Sequence, residues 1–220
     1  MSRNRPKTRV KTAKKRKSSS TRWLQRQLND PYVTEAQKMG YRGRAAFKLK
    51  EIDEKAGLLK AGMLVVDLGA APGGWCQVAL EKKCKVVAID LLEIDELPGV
   101  VFFQKDFMED DAPDLLRAEI FKLNDSGLAD VVLSDMAPNT IGHKQTDHLR
   151  IMAAVEAAYL FATEVLKPGG SFVAKVFQGG AEGEILKDMK KRFTKVKHIK
   201  PPASRKDSSE QYIVATGFKG

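Results

Sequence analysis

Met63-Leu64-Val65-Val66-Asp67-Leu68-Gly69-Ala70-Ala71-Pro72-Gly73-Gly74-Trp75 reads as an apolar strand over Met63–Asp67, a glycine-rich turn and the opening of a helix over Gly74–Glu81. A strand that enters a helix through a tight turn starts a βαβ unit. The same alternation continues outward. Lys85–Asp90, Val100–Gln104, Asp130–Asp135 and Ser171–Phe177 are short β-branched or aromatic runs, separated by stretches of helical length such as Pro113–Leu123, Asp147–Leu166 and Ala181–Arg192. Near-continuous apolar strands of this kind predict an α/β, Rossmann-like fold, a mostly parallel sheet with helices on both faces. Phe193–Ile199 and Gln211–Thr216 follow with only the Pro201-Pro202 loop between them, so the sheet is expected to end antiparallel.

Ligands of such sheets lie beyond the carboxyl ends of the parallel strands. Asp67, Asp90, Asp106 and Asp135 all fall at or just after those ends. The first turn argues against a dinucleotide. The G-x-G-x-x-G spacing is missing, and Pro72 has no N–H to offer a pyrophosphate. S-adenosyl-L-methionine carries no phosphate and fits better. Gly69, Gly73 and Gly74 would let its amino acid end, ribose and adenine approach the backbone. Asp90 would accept from the ribose hydroxyls, and Asp106 from the adenine amino group, with Phe107 as an apolar neighbour. Asp67 belongs to the same loop, with helix capping or loop solvation as the structural alternative for it and for Asp90. Trp75 either packs beside the cofactor or serves as a core aromatic.

Lys175 lies inside Ser-Phe-Val-Ala-Lys-Val-Phe, where a sheet covered on both faces has no water for an ammonium. Burial disfavours the charged form and brings the neutral amine, a base, within reach. Asp135 caps the adjacent strand, and Glu210, starting an antiparallel strand, is delivered to the same edge. Lys48 flanks an apolar helical stripe of Ala45, Leu49, Ile52 and Ala56.

The chain has 220 residues and a net charge of +10, enough length for one domain with a sizeable core. Eleven bases and no acid occur in the first 26 residues, which leaves 27 bases against 28 acids, a net charge of −1, in the rest. Residues 1–22 are therefore expected to be a disordered basic tail that binds polyanions or aids solubility, and residues 23–220 the folded domain. The tail's composition resembles a transit peptide, but Pro6 and the scarcity of apolar residues leave no amphipathic helix. Lys38, Arg42, Arg44, Lys48 and Lys50 form one local basic patch near an N-terminal helix, and Lys187 to Lys200 contains another. Cys76 and Cys84 with three scattered histidines offer no metal-ligand spacing and read as reduced thiols in a cytoplasmic compartment. No apolar stretch is long enough to span a membrane, and nothing demands more than a monomer.

Lys48, Asp135, Lys175 and Glu210, with the loop DLGAAPGGW, resemble the Lys-Asp-Lys-Glu tetrad of the FtsJ/RrmJ family of RNA ribose 2′-O-methyltransferases. W-L-Q, F-K-L, S-D-M-A-P-N, A-K-V-F-Q-G and Y-I-V-A-T-G extend the likeness over Trp23 to Thr216. The long basic extension before Arg22 departs from the family's short N-terminus. The resemblance implies a seven-stranded methyltransferase sheet, S-adenosylmethionine as cofactor, and methylation of a uridine ribose in large-subunit rRNA within the ribosome. It implies Lys175 as general base or polarising group, Asp135 as its orienter beside the methionyl end of the cofactor, Glu210 as a fix on the amine geometry, and Lys48 as a source of positive potential. The same tetrad serves tRNA and mRNA-cap 2′-O-methyltransferases. A non-catalytic RNA-binding assembly factor or a nicotinamide oxidoreductase fits less well, given the intact tetrad and Pro72.

Overall fold

The computed structural model describes residues 18–138, 143–177 and 183–220. The tail over 1–17, Asn139, Gln178 and Gly179 of the quoted motifs, and the expected helix start at Ala181 lie outside the described residues. Three helices precede the sheet: α1 (Ser18–Leu28), α2 (Pro31–Met39) and α3 (Ala45–Ala56). The expected tail boundary at residue 22 falls within α1, which begins at Ser18 and packs against α2. Asp30 caps α2 by accepting the Tyr32 N–H at 3.0 Å, Pro31 occupies its first turn, and Gly40 at φ 74° ends it. That stop divides the single N-terminal helix of the sequence reading into α2 and α3.

The sheet then alternates as expected: β1 (Leu64–Leu68), α4 (Gly74–Glu81), β2 (Lys85–Asp90), β3 (Val100–Gln104), α5 (Ala112–Leu123), β4 (Ala129–Ser134), α6 (Lys144–Val165), β5 (Leu166–Phe177), α7 (Glu184–Arg192), β6 (Phe193–Ile199) and β7 (Glu210–Phe218). Strand order is β3-β2-β1-β4-β5-β7-β6. The first five strands are mutually parallel, and β7 runs antiparallel to both β5 and β6. Order therefore reverses between β1 and β4, which opens a crevice at their carboxyl ends.

All five residues of β1 and all six of β4 are buried, because helices cover both faces. One face packs Val66, Val132, Phe172 and Ile213 with α5, α6 and α7; the other packs Val65, Leu133, Val173 and Tyr212 with α3 and α4. β5 begins at Leu166, five residues before the expected start, and its pairing with β4 shifts between Ala129 and Val131. At that irregularity Asp130 accepts the Leu64 N–H at 2.8 Å and pairs with Lys167, so the buried carboxylate is satisfied. Lys195 and Lys197 stand exposed on the edge strand β6, where charge blocks pairing with a further strand.

Candidate active site

Four elements converge on the crevice. α3 brings Lys48, the end of β4 brings Asp135, β5 brings Lys175, and β7 brings Glu210. In the β5–β7 register, Lys175 lies opposite Tyr212 and Phe177 opposite Glu210. Lys175 Nζ donates to the Asp135 carbonyl at 2.6 Å and lies 3.1 Å from Asp135 Oδ1. Lys48 Nζ sits 2.9 Å from the Glu210 carboxylate, which also accepts from Ser204 Oγ at 2.8 Å. The two ion pairs are joined by Tyr212, whose hydroxyl accepts from Lys48 Nζ at 3.1 Å and donates to Asp135 Oδ1 at 2.8 Å. A continuous chain thus runs Glu210, Lys48, Tyr212, Asp135, Lys175.

The side chain of Lys175 is 7% exposed, yet two cations and two carboxylates balance within the group. Each buried charge therefore has a partner, without which it would cost several kcal/mol. Burial pushes the Asp135 carboxyl up, but Lys175, Lys48 and the Tyr212 hydroxyl outweigh it and hold the group below the ordinary carboxylate range. Burial drives Tyr212 the other way, well above the usual phenol value, reinforced by Asp135 and Glu210. Asp135 is accordingly an anion and Tyr212 a neutral donor.

Asp135 also lines a cavity of about 410 Å³ with Gly69, Asp90 and Asp106, rimmed by the exposed side chains of Leu91, Leu92 and Met108. A Cβ on Gly69, at φ 81°, would lie within 2.9 Å of the Met136 backbone, so only glycine fits there. Asp90 accepts the N–H groups of Ala71 and Leu92, each at 2.8 Å, and clamps the two loops that flank the cavity. Two carboxylate oxygens offer about four lone-pair sites, so acceptor capacity remains for a ligand. Asp106 holds the Met108 N–H at 2.9 Å through Oδ1.

The other loop residues are placed differently. Asp67 is 1% exposed beneath the turn, accepting from Cys76 Sγ at 3.1 Å, and its Oδ1 has no partner among the described residues. Burial pushes its carboxyl up to about 7, with Asp135 and Asp90 adding to the effect against the Cys76 contact. Gly73 and Gly74 give room to Arg42 and to the α3 backbone at Ala46. Trp75 is buried, donates Nε1–H to the Ala45 carbonyl at 2.8 Å and lies 5.6 Å from the Tyr212 ring, so it steadies Tyr212. Glu210 grips Lys48, and among the described residues it forms no hydrogen bond or ion pair with Lys175, so it bears on that amine only through Lys48 and Tyr212.

The family model for FtsJ-like methyltransferases matches residues 41–218, which hold the loop and all four charged residues. The chain belongs to the FtsJ-like methyltransferase family. It is 61% identical to the ribosomal RNA large subunit methyltransferase E of Paramagnetospirillum magneticum, over 96% of this chain and 88% of that one. The protein of the same name from Novosphingobium aromaticivorans is 60% identical, over 98% and 96% of the two chains. A crystal structure of a chain described as a ribosomal RNA methyltransferase from Plasmodium falciparum superposes with a TM-score of 0.70 at 31% identity, over 82% of this chain and 100% of that one.

Tyr212 is the member of this FtsJ-like site that sequence reading missed. The signal was present: Glu210 and Tyr212 are two residues apart on one strand and therefore share a face. Tyr212→Phe removes the bridge while keeping the ring against Trp75. It is expected to slow methyl transfer about tenfold and to cost about 1–3 kcal/mol of stability, since Lys48 and Asp135 each lose a buried partner. Rates and urea unfolding of the same preparation check this; an unchanged rate would make Tyr212 a packing residue alone.

Proposed function

We propose that the chain transfers the methyl group of S-adenosylmethionine to the ribose 2′-hydroxyl of a uridine in large-subunit rRNA, acting as a cytoplasmic monomer on the ribosomal subunit. The observation that carries this reading is Asp135, which belongs at once to the loop-lined cavity and to the lysine-bearing group. A donor held in the cavity and a hydroxyl held by Lys175 would meet across it. The family supplies the reaction class, and the names of the relatives at about 60% identity supply the substrate.

The cavity suits the cofactor. Gly69 allows close backbone approach, Asp90 and Asp106 keep acceptor capacity for ribose and adenine, and Leu91, Leu92 and Met108 give apolar cover. When bound, S-adenosylmethionine supplies an electrophilic methyl group on a sulfonium. Lys175 orients and polarises the hydroxyl and serves as the group toward which its proton departs as the oxygen attacks. Asp135 fixes that amine through two contacts, and Lys48, held by Glu210 and Tyr212, adds the positive potential that favours a developing alkoxide. By holding the hydroxyl against a donor bound in the loop cavity, Lys175 and Asp135 would supply the positioning that lowers much of the barrier to such a transfer.

Incubation with labelled S-adenosylmethionine and, separately, large subunits lacking the modification, protein-free rRNA and tRNA tests the reading. Label is expected in the subunit's large rRNA, in a dinucleotide that resists alkali because its 2′-oxygen is blocked. Label in tRNA alone would move the substrate, and an alkali-labile product would move the target atom off the ribose.

A further inference from the structure

Residues 91–99 join β2 to β3 with no helix or strand among them, and the first two, Leu91 and Leu92, rim the loop-lined cavity. Most of this loop is exposed, so it has little of its own to fix its backbone. Asp90 ties its start to the glycine turn through the N–H groups of Leu92 and Ala71. Farther along, over Glu93–Glu96, the hydrogen bonds found among the described residues come from one side chain, Arg42, which stands between α2 and α3. Its Nη1 donates to the Asp95 carbonyl at 2.7 Å and to the Pro72 carbonyl of the turn at 3.3 Å, and its Nη2 donates to the Glu96 carbonyl at 2.8 Å. Gly73 makes room for this, since a Cβ there would lie 2.9 Å from Nη1. The Arg42 backbone is anchored in turn: Gln77 on α4 accepts its N–H at 2.8 Å and donates to the Gly40 carbonyl at 2.9 Å. A guanidinium presents several donors in a fixed plane, which suits it to hold carbonyls of two segments at a set separation.

We propose that Arg42 is a positioning residue for the cofactor: from outside the cavity it straps the β2–β3 loop to the glycine turn and so keeps the Leu91–Leu92 rim in place for S-adenosylmethionine. The inference rests on the cofactor reading above and deepens it. Arg42 does not line the cavity, so it acts through the two segments that do. Asp90 stitches those segments together at one point and Arg42 at a second, through carbonyls that would otherwise turn to water. With both stitches the loop is ordered before the ligand arrives. With Asp90 alone, the cost of ordering residues 93–96 falls on binding. The guanidinium meets backbone carbonyls, so its hold is indifferent to the side chains at positions 95 and 96, which sets the strap apart from a surface ion pair.

Arg42→Gln tests the strap, and Arg42→Lys keeps the charge and covers the case in which the glutamine variant does not fold. S-adenosylmethionine affinity is measured by calorimetry without RNA, and amide hydrogen exchange is followed over residues 91–99 in the free protein. The cofactor KM and kcat are measured on large subunits lacking the modification, and RNA affinity on a fluorescent 12-nucleotide single strand. Arg42→Gln is expected to bind the cofactor about tenfold more weakly and to exchange its 91–97 amides faster, with β1 and β4 unchanged. The loss is expected in the cofactor KM, with kcat kept at saturating cofactor. Arg42→Lys, whose compact ammonium lacks the fork, is expected to recover part of the affinity, and the double variant Asp95→Ala with Glu96→Ala to match wild type. Unchanged cofactor affinity or unchanged loop exchange in Arg42→Gln would overturn the strap. So would a fall in RNA affinity alone, which would make Arg42 a phosphate contact, or an equal loss in the double variant, which would make it one half of an ion pair. A wild-type chain that takes up no S-adenosylmethionine in calorimetry would remove the cofactor reading instead, and the exchange measurement would still judge whether Arg42 holds the loop.

Discussion

Lys175→Ala is expected to lower the rate of methyl transfer by roughly 10²- to 10⁴-fold, the range a positioned acid or base supplies, while cofactor affinity stays within a few fold. Lys175 touches Asp135 and does not line the loop cavity, so on the proposed mechanism its removal would strip the hydroxyl of its proton acceptor without altering the cavity wall. Asp135 keeps Tyr212 as a donor, and Lys48 lies behind it, so the anion is not left alone. Lys175→Met fills the same space without charge and covers the case in which the alanine variant fails to fold. Calorimetric cofactor binding beside single-turnover rates checks the outcome. A folded variant that loses both would make Lys175 a cofactor ligand.

The converse substitution is Asp90→Ala. It is expected to weaken cofactor binding on the order of 100-fold, about 2.7 kcal/mol, while turnover at saturating cofactor persists. On the proposed reading two costs would combine: the acceptor for the ribose hydroxyls would disappear, and the N–H groups of Ala71 and Leu92 would lose the carboxylate that fixes both loops. Asp90→Asn retains one acceptor oxygen and is expected to fall between. Isothermal titration of both variants decides the matter, since an unchanged affinity for the alanine form would remove Asp90 from the binding site.

The parallel core strands were legible because their burial on both faces demands unbroken apolar runs; β2 and β3 match the expected limits at both ends. The extension of β5 back to Leu166 was not, because Pro168-Gly169-Gly170 has turn chemistry and reads as a loop when the neighbouring strand is invisible. α1 was hidden by its Ser-rich, basic composition, which offers little to bury. The charged residues of the site stood out because an ionisable group in an apolar strand is anomalous by itself. Tyr212 did not, since a tyrosine in a strand is ordinary; only the register that sets it opposite Lys175 reveals its hydroxyl as the link between two ion pairs.

The position of β7 between β5 and β6 bears on how the enzyme comes into being. β7 is the latest of the described strands to leave the ribosome, yet it supplies Glu210 and Tyr212 and is the sole neighbour of β6 within the sheet. Lys48 must therefore wait for partners 162 and 164 residues downstream. Such long-range closures come late, because much of the chain must be ordered before they gain anything. A nascent chain that has made everything up to β6 has its cofactor loop and Lys175 but an unpaired edge on β5 and no counter-charge for Lys48. Activity thus switches on only with completion of the fold, and cleavage before residue 210 would silence the enzyme while leaving the cofactor loop in place.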